Sequence, residues 1–175
     1  YIQVEARLRI LSGEVSPVLS DLTAMDYTGR VLDVGDGRAW PAQVGTVPVV
    51  LTDTSAVARI QFDVTYCLGR PGLLGFLEAR KGSALPEDWV FDYTPLPDNR
   101  LRVLGYSPKA TALPPGSGVV AELDFQADPA AVSPWEQCAL HPHDIILSDE
   151  VGLPIEPVAG ADGSFIVPAS QVLLE

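Results

Sequence analysis

In short runs along this chain, apolar side chains fall on every second residue. Ile2, Val4, Ala6, Leu8 and Ile10 alternate with Gln3, Glu5, Arg7 and Arg9, and a two-residue period puts one set on each face of a β-strand. Ile60, Phe62, Val64 and Tyr66 alternate in the same way with Arg59, Gln61, Asp63 and Thr65. Leu101, Val103 and Gly105 alternate with Arg102, Leu104 and Tyr106, and Val119, Ala121, Leu123 and Phe125 face away from Glu122, Asp124 and Gln126. Shorter segments at 31–34, 47–51, 73–78, 89–93, 145–147 and 165–167 continue the series. The runs recur about every ten residues, divided by turns that draw on 15 glycines and 16 prolines. No stretch longer than about ten residues keeps a 3.6-residue period. The pattern predicts an all-β sandwich or barrel in which helix is marginal at most.

A length of 175 residues fits one domain. Residues 31–168 contain no repeat, linker or low-complexity tract and form the expected sandwich. Residues 12–28 lose the period, so 1–30 reads as an N-terminal extension with one strand, and 169–175 as a tail. Pro48, set between Val47 and Val49, lacks a backbone donor and marks its segment as an edge strand or a strand beginning.

Composition excludes several functions. Acidic residues number 23 against 11 basic ones, for a net charge of −12, which repels phosphate backbones and argues against nucleic acid. An apolar fraction of 47% is too high for disorder, yet no uncharged apolar run of about 18 residues exists to span a bilayer. The chain opens on Tyr1 with no signal-like segment, the pattern of a mature or excised domain. Two cysteines are too few for a disulfide scaffold, though one bridge forms in an oxidising compartment.

Chemistry-bearing motifs are sparse. In His141-Pro142-His143-Asp144 two imidazoles share a strand face, but a third zinc ligand is missing and Pro142 favours a surface loop. Asp33-Val34-Gly35-Asp36-Gly37 starts like a calcium loop, yet its third and fifth positions are glycine. Gly116-Ser117-Gly118 has no lysine for a phosphate loop, and no serine elbow or Ser/His/Asp spacing is present. The reading is therefore of a protein that is not an enzyme, with no cofactor in this chain. Trp89 anchors the core, because Phe91 and Tyr93 continue its face, while Trp40 and Trp135 fall in loops as candidates for stacking on sugars.

The block from 47 to 66, Val-Pro-Val-Val-Leu-Thr-Asp-Thr-Ser-Ala-Val-Ala-Arg-Ile-Gln-Phe-Asp-Val-Thr-Tyr, resembles the second and third strands of a cohesin domain. The blocks at 82–91, 99–107, 116–125, 144–154 and 162–167 follow in that family's order. The resemblance implies a nine-stranded jelly-roll sandwich, extracellular or on a cell surface, that docks a dockerin-type protein carrying calcium. It implies a docking face built from the third, fifth, sixth and eighth strands, displaying Arg59, Gln61, Asp63 and Thr65 beside Arg102, Leu104 and Tyr106. Leu104 and Tyr106 then supply an apolar centre and the charged neighbours a rim. In the best-known cohesins the outward positions of the third strand carry an asparagine and an aspartate that bind the partner, where this chain has Arg59 and Gln61. The same implied strand order sets Cys67 at the end of the third strand beside Cys138, just before the eighth, as a disulfide. The alternatives are a carbohydrate-binding module, and a structural or assembly domain that self-associates through the N-terminal strand.

Overall fold

The computed structural model describes residues 2–9, 18–26, 30–53, 55–130, 135–156 and 158–168. Among them there is no helix. The strands are β1 (Ile2–Arg9), β2 (Val18–Asp26), β3 (Val31–Val34), β4 (Gly37–Arg38), β5 (Val44–Asp53), β6 (Arg59–Tyr66), β7 (Leu74–Lys81), β8 (Val90–Leu96), β9 (Arg100–Tyr106), β10 (Gly116–Ala127), β11 (Glu136–Ser148), β12 (Ala159–Ala161) and β13 (Gly163–Val167). A five-stranded sheet runs β12-β3-β5-β10-β7 and a six-stranded one β4-β13-β11-β6-β9-β8. Apart from the very short β4 and β12, these sheets hold the nine strands of a jelly-roll sandwich.

The two layers meet where the alternation predicts. Ile60, Phe62 and Val64 of β6, Leu101 and Val103 of β9, and Leu123 and Phe125 of β10 are all buried. Phe125 joins the sheets: its ring lies 5.0 Å from Tyr66 and 6.0 Å from Phe165, both of the six-stranded sheet, and 5.8 Å from Phe76 of its own. Burying a side chain of this size stabilises the fold by about 2–3 kcal/mol. Trp89 is buried just before β8 and donates its indole N–H to the Thr111 carbonyl at 3.1 Å, and Phe91 and Tyr93, partly buried, pack against the same core.

Two sequence expectations need correction. Pro48 sits in β5, an interior strand between β3 and β10. A strand residue points its N–H and C=O to the same side, and the Pro48 carbonyl accepts from Gly35, which lies just past the end of β3. The missing donor therefore falls where the neighbouring strand has already stopped. The N-terminal extension has two strands, not one: β2 pairs antiparallel with β1 along its length. The register jumps from Arg7↔Asp21 to Leu8↔Leu19, which leaves Ser20 as an extra residue. Such a bulge interrupts the one-to-one register of the pair.

Cys67 and Cys138 form a disulfide. Cys67 follows β6 directly, its amide donating to Ala139, and Cys138 lies inside β11 rather than before it.

Candidate functional site: the outer face of the six-stranded sheet

The register aligns four rows of outward side chains across β8, β9, β6 and β11. Val90, Tyr106, Arg59 and Ser148 make the first, and Asp92, Leu104, Gln61 and Ile146 the second. Thr94, Arg102, Asp63 and His143 make the third, and Leu96, Arg100, Thr65 and His141 the fourth. All seven residues that the family resemblance implies for a docking face are thus on one face.

The first two rows are apolar at their centre. Tyr106 is 37% exposed, Val90 39% and Ile146 49%, with Leu104 half-buried among them. Ile146 reaches this face through a bulge: the pairing passes from His143↔Asp63 to Ile146↔Gln61, so that Asp144 and Ile145 together oppose the single residue Phe62 and β11 gains one residue, and Asp144 takes a positive φ of 50°. A strict two-residue count along 139–147 hides that outcome. A groove of about 380 Å³ opens at this end, between Leu104, Tyr106 and Arg59 and the loop Asp149–Gly152. Asp149 holds that loop by accepting the amides of Val151 and Leu153 at 3.0 and 2.8 Å, and both of those side chains are exposed.

The third and fourth rows are ionic, and here Asp63 departs from its expected place on an open rim. It is 0% exposed. Arg102 covers it with a two-pronged pair, Nε to Oδ1 at 2.7 Å and Nη2 to Oδ2 at 2.8 Å, and Arg100 Nε lies 3.7 Å from Oδ2. The hydrogen bonds to Asp63, and then its charge, raise the pKa of Arg102 further above its already high value. Asp63 is therefore a platform for two arginines rather than a free acceptor. The partner lies 39 residues away in sequence, and only the Arg100-x-Arg102 spacing hints at it.

His141 and His143 stand in β11, not in a loop at its entrance. Thr65 Oγ1 lies 2.8 Å from His143 Nε2, and His143 Nδ1 lies 3.2 Å from Asp144. The order hydroxyl, imidazole, carboxylate is that of an activated nucleophile, but it lies on a flat sheet face and lines none of the four cavities around Asp53, Glu156, Tyr106 and Glu136. Asp63, His143 and Asp144 place ligand atoms within 4.8 Å of one another. Both Asp63 oxygens already accept from a guanidinium, so a cation entering there meets two fixed positive charges.

The outer face of the other sheet is satisfied within itself. Arg80 reaches Asp124, Glu122 and Glu78 at 2.9, 3.2 and 3.6 Å, and Thr46 donates to Asp124 at 2.6 Å. Val44 and Leu77 are exposed on the five-stranded sheet as well, but an apolar patch beside a row of arginines belongs to the six-stranded sheet.

No protein-family model and no curated protein matches the chain. Solved structures do. The sixth cohesin of scaffoldin B from Acetivibrio cellulolyticus, solved in complex with a Cel5 dockerin, superposes with a TM-score of 0.67 at 22% identity, over 80% of this chain and 99% of that one. The non-cellulosomal cohesin of the hyperthermophilic archaeon Archaeoglobus fulgidus gives 0.65 at 21% identity, over 82% and 94%. The seventh ScaB type I cohesin of Pseudobacteroides cellulosolvens gives 0.69 at 14%, over 83% and 96%. The fold of this chain is that of the cohesin domains.

Proposed function

We propose that this domain is a non-catalytic docking module, displayed outside the cell, that takes a dockerin-type protein on the outer face of β8, β9, β6 and β11. The observation that carries the reading is the apolar patch of Val90, Tyr106 and the half-buried Leu104, with Ile146 across Gln61, beside the Arg100–Asp63–Arg102 network, an apolar centre with a charged rim. Similar folds have been solved holding dockerins, which supports that class of partner. Calcium belongs to the partner in this reading. Arg59 and Gln61, in place of the asparagine and aspartate of the best-known cohesins, call for a dockerin whose facing side chains accept hydrogen bonds. In a chain of net charge −12, three arginines on one face favour carboxylates at that position.

Calorimetric titration with calcium-loaded dockerins of several types, together with any encoded in the source genome, tests this. At least one is expected to bind, with Tyr106→Ala weakening it at least tenfold, the scale of a central interface residue. Silence from every dockerin overturns the reading.

A further inference from the structure

A second cluster lies at the opposite edge of the six-stranded sheet. In β4, Gly37 packs flat on the core, where a Cβ would strike Val47 and Phe165, so the next residue, Arg38, turns outward. Its guanidinium carbon lies 5.7 Å from the ring centre of Trp40 and 5.4 Å from that of Trp135, within cation–π range of both. Among the described residues no carboxylate or hydrogen-bond acceptor pairs with Arg38. The indoles are not core residues: Trp40 is 36% exposed and Trp135 64%. Trp135 also holds a positive φ of 59°, a conformation that bulky residues avoid and that clusters at functional positions. Arg38 aligns with Ile166, and Ile166 with the exposed Gln137 of β11.

We propose that Trp40, Arg38 and Trp135 form a carbohydrate-binding site for a neutral polysaccharide, separate from the docking face. Indole faces left in water stack on the apolar C–H faces of pyranose rings. The Arg38 guanidinium, which has no acceptor among the described residues, and the Gln137 amide supply hydrogen bonds to ring hydroxyls, so the patch offers the flat apolar surface and the few fixed polar groups that a sugar needs. The net charge of −12 disfavours polyanionic chains. A purely structural stack would cover the indoles, whereas here the larger part of Trp135 faces solvent. β4 and β11, the nearest of the docking strands, are two strand spacings apart in the sheet, about 10 Å, so polysaccharide and protein partner are held side by side.

The test is affinity electrophoresis of the whole chain through gels containing hydroxyethylcellulose, xylan or mixed-linkage β-glucan, with pull-down on insoluble cellulose and chitin. At least one polysaccharide is expected to retain the protein. Trp135→Ala and Arg38→Ala should each weaken retention tenfold or more, while Tyr106→Ala, on the docking face, leaves it unchanged. Circular dichroism confirms that the variants fold, and Trp40→Ala serves as a second reporter at the same site. The site is refuted if no polysaccharide retains the wild type, or if Trp135→Ala binds as well as the parent. Loss of dockerin binding in Trp135→Ala without any sugar retention also refutes it, and assigns the patch to the protein partner.

Discussion

Asp63 shows how a single side chain organises the face around it. Its carboxylate lies under Arg102 and Arg100, whose own side chains remain 43% and 41% exposed. Removing the acid therefore strands two like charges, two residues apart on one strand face, with nothing between them. Asp63→Ala should lower stability by about 1–3 kcal/mol, the range for losing a buried charged hydrogen-bond partner. Because part of that loss is repulsion between solvated guanidinium groups, it should shrink in 1 M salt, where charges are screened within about 3 Å. Urea denaturation at low and high salt measures both, and a salt-independent loss would sink the repulsion argument. Tyr66 carries the opposite dependence on solvent. Packed against Phe125, its phenol is pushed above the usual value of about 10 by burial. The unfolded chain then releases that proton first, so the stability due to a neutral Tyr66 is whole below pH 10 and drains away as pH rises through the native value. Melting temperatures between pH 8.5 and 11.5 should fall more steeply in the parent than in Tyr66→Phe; parallel curves would contradict the assignment.

At the scale of elements, close approach of backbones decides which strand glycines are needed. A Cβ on Gly163, at the start of β13, would run into the carbonyls of Val34 and Gly35, atoms tied into the β3 turn and unable to step aside. Gly75 in β7 has open space, with Gln126 O no nearer than 4.0 Å. Gly163→Ala should therefore cost about 2 kcal/mol or more, while Gly75→Ala should be neutral or stabilise by about 0.5 kcal/mol through the unfolded chain. Equal denaturation midpoints for the two variants would show that the close contact relaxes freely. The same scale explains what could be read in advance. Leu104 and Tyr106 were legible because β9 keeps a strict alternation from Leu101 to Tyr106. Ile146 was not, because the bulge after His143 shifts its parity, and β2 was not, because residues 12–28 keep no two-residue period. The burial of Asp63 was illegible for another reason: no local pattern records a partner on a neighbouring strand. The Arg38 stack joins residues far apart in the sequence, and nothing near Trp40 or Trp135 signals that they meet.

For the whole molecule, the path of the chain makes the Cys67–Cys138 bridge more than a local staple. Its ends are 71 residues apart, and the segment between them supplies β7 and β10 to one sheet and β8 and β9 to the other. The loop it closes thus crosses the sandwich, returns, and is locked beside the β6–β11 ladder that centres the docking face. Loop closure of this length stabilises a fold by about 4 kcal/mol in the chain-entropy model, a large fraction of the 5–15 kcal/mol that holds a typical domain together. Both cysteines are buried in the core, so reductant should act slowly on the folded protein and rapidly once denaturant opens it. The Cys67→Ala/Cys138→Ala variant should keep the same sheets by circular dichroism, lose roughly 3–5 kcal/mol in denaturation, and bind a partner through β8, β9, β6 and β11 with little change in affinity at low temperature. That combination separates a bridge acting on the unfolded chain from one that shapes the face: if affinity falls tenfold while the fold persists, the disulfide positions the docking strands directly and the entropic account is incomplete.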